Sequence, residues 1–155
     1  MSALEDLYKE IILDHYRSPR NRGELGEPAH RCEGFNPLCG DEVVVYVVLK
    51  DGMIEDIKIG GQGCSISQAS ASMMSEIING KSIEEAELII QAFKEMMDIY
   101  ESELSGKKDV ESTTSNIDLG DLEALQGVVK YPVRIKCATL AWNTLTQSFS
   151  EIQDS

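Results

Sequence analysis

Residues 42–64 read EVVVYVVLKDGMIEDIKIGGQGC, and this stretch decides the fold. Glu42 to Lys50 is β-branched and aromatic, and too short for most helices, so it predicts a strand. Asp51-Gly52 is a hairpin turn signal. Ile54 to Ile59 alternates apolar and polar residues, which predicts a return strand with one buried face. The two strands are expected to be antiparallel neighbours. Gly60-Gly61-Gln62-Gly63 permits positive φ and close backbone approach, and it delivers Cys64 to the start of a helix. Ser65 or Ser67 is placed to cap that helix. Ala69, Ala71, Met73, Met74, Ile77 and Ile78 continue it, and Gly80 ends it. A Gly-rich turn before a helix also suits phosphate. Here the P-loop lysine is missing and the spacing is not G-x-G-x-x-G, which argues against that use.

Upstream, Ser2 and Glu5 form a capping box for a first helix. Leu4, Leu7, Tyr8, Ile11, Ile12 and Tyr16 recur along it at helical spacing, and Pro19 marks its end. His15, near that end, reads as a surface or capping histidine. Residues 17–38 are polar and rich in Gly and Pro, so mainly loop is expected, with a short strand around His30 to Gly34. Cys32 falls there and is assigned to structure. Downstream, Ser82-Ile83-Glu84-Glu85 opens a helix running to about Leu104. Its apolar face carries Ala86, Ile89, Ile90, Phe93, Met96, Met97 and Tyr100. Residues 105–116 are polar without an apolar face, so a mobile insertion is expected inside one domain spanning 1–155. Ile117 to Leu125 suits a short helix ending at Gly127. Tyr131-Pro132 opens a last helix, with Val133, Cys137, Leu140, Ala141, Thr144, Leu145 and Phe149 on its buried side.

The 155 residues carry 14 Lys and Arg against 27 Asp and Glu, a formal charge of −13. That balance excludes nucleic acid as a partner, because affinity there comes from neutralising phosphates. No apolar run reaches the length of a membrane span. The acidic start of the chain has no signal-peptide core, so a cytoplasmic protein is expected.

Four cysteines in a reducing compartment are not read as two disulfides. Cys32, Cys39, Cys64 and Cys137 contain no C-x-x-C pair, so zinc-finger, ferredoxin and thioredoxin patterns are absent. Asn36-Pro37-Leu38-Cys39-Gly40-Asp41 is a turn presenting a thiol and a carboxylate two residues apart. Cys64 sits at a helix start, and Cys137 follows Arg134 and Lys136 near another. Such placement lowers thiol pKa and suits either metal ligation or sulfur nucleophilicity. Inert buried cysteines are the alternative, and they do not need the Gly-flanked turns. If the segments meet, Cys39, Asp41, Cys64 and Cys137 make a tetrahedral set for Zn²⁺. Three thiolates and a carboxylate around Zn²⁺ leave −2, which Arg134 and Lys136 would offset. A zinc hydrolase is disfavoured, since there is no H-E-x-x-H.

At these residues the chain resembles the IscU-like iron–sulfur cluster assembly proteins, and within them the SufU-type branch. The matching segments are Tyr16 to Asn21, Asn36 to Asp41, Gly63 to Met74 and Arg134 to Trp142. The resemblance implies an α+β fold, with a small three-stranded antiparallel sheet packed against a set of helices. It implies that the three cysteines and Asp41 converge at one end. It also implies a PLP-dependent cysteine desulfurase as partner, with downstream cluster-assembly proteins or apo acceptors receiving the product. The scaffold branch has His immediately before its last cysteine. Lys136 stands there instead, and lysine is a poor ligand at neutral pH. The insertion around 106–116 also looks like the SufU branch. The expected activity is therefore that of a zinc-dependent sulfurtransferase. On the resemblance, Cys39 is the sulfur acceptor and Cys137 the alternative, while Arg134 steadies the anionic sulfur or docks the partner. The competing expectation is a scaffold on which the same residues hold a transient [2Fe–2S] cluster.

Overall fold

The computed structural model describes residues 3–37, 40–105 and 119–153. The expected Ser2 cap, Cys39 and the insertion at 106–116 lie outside the described residues. In chain order come α1 (Ala3–Arg17), β1 (His30–Asn36), β2 (Asp41–Lys50), β3 (Met53–Gln62), α2 (Ser65–Ile78) and α3 (Ile83–Ser105). A 3-10 helix (Gly120–Lys130) and α4 (Pro132–Gln153) complete it.

The three strands form one antiparallel sheet in the order β1-β2-β3, so the α+β expectation holds. Asp51 and Gly52 both take positive φ, 54° and 76°, the pairing that a two-residue turn needs to match strand twist. Val43, Val45 and Val47 on β2, with Ile54, Ile57 and Ile59 on β3, form the buried face. Burying each such side chain stabilises by roughly 1.5–3 kcal/mol. Helices α2 and α4 cover that face, and α3 packs against α4 and the 3-10 helix. Phe93 of α3 stacks on Trp142 of α4 with ring centroids 4.3 Å apart. Trp142 donates its indole N–H to Ser70 of α2 at 2.9 Å, which locks α2 against α4.

Several expectations need correction. The last element before α4 runs Gly120–Lys130 as a 3-10 helix, straight through Gly127. It stops at Tyr131, whose extended φ of −122° is what the following proline demands. Cys64, rather than Ser65 or Ser67, caps α2, its sulfur accepting the Ser67 N–H. Val133 is 52% exposed rather than on the buried side of α4. On α1, Leu7 and Tyr16 are exposed, and Ile11 and Ile12 pack against the core only partly.

His15 is the largest departure. It is buried rather than at the surface. Its Nδ1 lies 2.9 Å from the Ser72 hydroxyl of α2, and its Nε2 lies 3.4 Å from the Asp121 carboxylate of the 3-10 helix. One imidazole thus joins three elements. Replacing His15 with alanine empties that space and removes both contacts, although Ser72 still accepts the Arg20 N–H. Thermal melts of His15→Ala are expected to show a loss of about 2–3 kcal/mol.

Candidate metal centre

The sheet and two helix starts carry ligand atoms to one point. Asp41 opens β2, paired with Asn36 at the end of the β1–β2 ladder, and it is wholly buried. A buried carboxylate must be hydrogen-bonded or bind a cation. Its Oδ1 accepts the Cys64 backbone N–H at 2.9 Å, and its Oδ2 lies 3.9 Å from the Cys64 sulfur. That approach depends on Gly63, where a Cβ would stand 2.5 Å from Asp41 Oδ1 and 2.7 Å from Ser67 Oγ.

Cys64 is half-buried at the N-terminus of α2, where its sulfur accepts the Ser67 N–H at 3.5 Å. Cys137, wholly buried, comes from the second turn of α4. Its sulfur lies 3.8 Å from the Asn36 amide nitrogen and 3.7 Å from the Val133 carbonyl. Ligand atoms of Asp41, Cys64 and Cys137 lie within 4.8 Å of one another. Sulfur and oxygen around a tetrahedral zinc ion sit about 3.5 Å apart, given the usual bond lengths. The 3.9 Å between Cys64 Sγ and Asp41 Oδ2 is close to that, and two sulfurs with a carboxylate oxygen are donors that suit zinc.

Arg134 and Lys136 are both exposed on the first turns of α4. Neither histidine belongs to the cluster: His15 is held by Ser72 and Asp121, and His30 pairs with Glu151 at 2.8 Å. Cys32 lies opposite Val45, four pairs along the ladder from Asp41, and burial pushes its thiol pKa up. That agrees with its assignment to structure.

Two residues near the centre have no role in the sequence reading. Arg22 donates to Gln68 Oε1 at 2.6 Å and to the Gly61 carbonyl, so it braces the chain on both sides of Cys64. Asn36 reaches Cys137. Arg22 gave no sequence signal, because its partners are 39 and 46 residues away. Asn36 stood inside the singled-out turn, but its contact is 101 residues away.

Comparison with known proteins places the chain in a family. The chain is 45% identical over 148 residues to the zinc-dependent sulfurtransferase SufU of Bacillus subtilis, covering 96% of this chain and 92% of that protein. It is 38% identical over 148 residues to the iron–sulfur cluster assembly scaffold protein IscU of Streptococcus pyogenes, covering 96% and 86%. A crystal structure of a putative SUF-system scaffold protein from Fervidobacterium islandicum superposes with a TM-score of 0.70 at 36% identity, covering 93% of this chain and 97% of that one. Residues 7–148 match the NifU-like N-terminal domain, and the chain belongs to that family.

Proposed function

We propose that this chain is a zinc-dependent sulfur acceptor in iron–sulfur cluster biogenesis, taking persulfide sulfur from a PLP-dependent cysteine desulfurase. The observation that carries the reading is the meeting of Asp41, Cys64 and Cys137 near the starts of β2, α2 and α4. Cys39, two residues before Asp41, is the proposed fourth ligand. When bound, zinc keeps the thiols deprotonated and screens their mutual repulsion. Asp41 orients the Cys64 loop through its backbone N–H, and the α2 N-terminus adds positive potential at that sulfur.

The transfer is a thiol–disulfide type exchange. The acceptor thiolate attacks the outer sulfur of the donor persulfide. A new S–S bond forms as the donor S–S bond breaks, and the bonding pair leaves with the donor cysteine as thiolate. The proton stays with the transferred sulfur. Cys39 is the proposed acceptor, because Cys137 is wholly buried and the Cys64 sulfur is engaged as the α2 cap. Cys137 is the alternative acceptor. The exposed Arg134 is suited to steadying the anionic sulfur or docking the donor. No described helix is long and apolar enough to cross a membrane.

Sulfur transfer from radiolabelled cysteine tests the acceptor. Cys39→Ala is expected to lose most label while keeping its fold. Label at the wild-type rate would overturn the assignment. The second reading, a scaffold for a transient [2Fe–2S] cluster, is favoured by the likeness to the streptococcal IscU. Anaerobic purification separates the two. Stoichiometric zinc without cluster transfer supports the first, and a visible-absorbing cluster passed to an apo acceptor supports the second.

A further inference from the structure

We propose that Asn36 is a positioning residue for the sulfur chemistry: its side-chain amide holds the Cys137 sulfur through an N–H···S hydrogen bond, keeping that thiol an anchored ligand and directing sulfur to another cysteine. The consequence rests on the function proposed above, whereas the contact itself does not.

Asn36 ends β1 and pairs with Asp41, so it stands beside the centre by register. It is only 6% exposed, and a buried amide needs hydrogen-bond partners. Its Nδ2 lies 3.8 Å from Cys137 Sγ. Its backbone carbonyl accepts the Gly40 N–H at 2.9 Å, next to the start of β2 at Asp41. One residue therefore ties Gly40, the Asp41 strand and the Cys137 helix together.

The sulfurs are not held alike. Cys64 accepts a backbone N–H at 3.5 Å, fixed by the helix cap, and is half-buried. Cys137 is 0% exposed and receives a side-chain N–H. A donor aimed at a sulfur lone pair draws electron density from it and weakens it as a nucleophile. Burial keeps a persulfide from reaching the same atom. Both effects spare Cys137. Leucine keeps the branching of asparagine but has no donor, so it removes the bond while adding bulk at the end of the side chain.

The test uses the full chain, zinc-loaded and metal-free, as wild type and Asn36→Leu. Limiting N-ethylmaleimide is added, and labelling at each cysteine is read by mass spectrometry of a digest. The cobalt(II)-substituted protein supplies a second readout, its sulfur-to-metal charge-transfer band. The Cys137:Cys64 labelling ratio is expected to rise roughly fivefold in Asn36→Leu, the factor one neutral hydrogen bond provides. The band is expected to move to lower energy. An unchanged ratio overturns the inference. So does a raised ratio with an unmoved band, which is loosened packing alone. If the wild type binds neither zinc nor cobalt, the zinc reading fails, and the metal-free ratio still decides Asn36. Asn36→Ala replaces Asn36→Leu if the latter does not fold.

Discussion

Cys64→Ser is expected to lose stoichiometric zinc, with affinity falling at least about a thousandfold, because one thiolate leaves a set whose binding energy is shared among few ligands. The substitution is informative because serine is itself a good N-cap. Helix α2 should keep its start, so the loss reports the metal and not fraying. The Asp41 carboxylate still accepts the backbone N–H of residue 64, which the change leaves in place. Competition with a chromophoric chelator gives the affinity. Thermal melts of the zinc-loaded protein should fall to the value of the chelator-stripped wild type, since a ligand that binds only the folded state stabilises it by mass action. A Cys64→Ser protein that still holds zinc at wild-type affinity would remove Cys64 from the site.

The second large effect is at Gly61, three residues before Cys64. Its φ is +106°, and a Cβ there would stand 2.3 Å from the Glu42 carbonyl oxygen and 2.9 Å from Val43 Cα. Those atoms are backbone of β2, one and two residues beyond Asp41, and they cannot rotate away. Gly61→Ala must therefore push β3 off β2 where the two lead into the centre. A cost of about 3 kcal/mol or more is expected from strain and clash together. Zinc affinity should fall as well, because the Cys64 loop moves relative to Asp41. Gly80→Ala is the control. Gly80 also has positive φ, +83°, but a Cβ there meets open space. It should cost only about 1 kcal/mol and leave zinc binding intact. Denaturant melts and chelator competition on the two variants compare the effects directly. Equal losses in both would mean that φ alone matters at Gly61.

The hairpin was legible because local signals agree: a β-branched run, Asp-Gly and a period of two all point the same way. Strand β1 was legible only in part. HRCEGFN buries Cys32 and Asn36 but exposes Phe35, so it has no clean apolar face, and the strand extends two residues beyond the expected Gly34. The cap of α2 was misplaced because cysteine is an unusual N-cap. Ser67, an expected cap, supplies the bonded N–H instead. His15 was misplaced for a different reason. Its environment is built by α2 and the 3-10 helix, 57 and 106 residues away, and no periodicity within α1 reports them. At the centre, Gly-flanked thiols and a carboxylate were visible as a set. Their convergence follows from the Asn36–Asp41 pairing and the crossing of α2 with α4, which only the fold supplies.

The most direct measurement is desulfurase turnover with this chain present, in zinc-loaded and chelator-stripped forms. Zinc-loaded protein is expected to raise turnover, stripped protein to leave it at the basal rate, and added zinc to restore the rise. Turnover indifferent to the chain, or raised equally by the stripped form, would contradict a zinc-dependent sulfur acceptor.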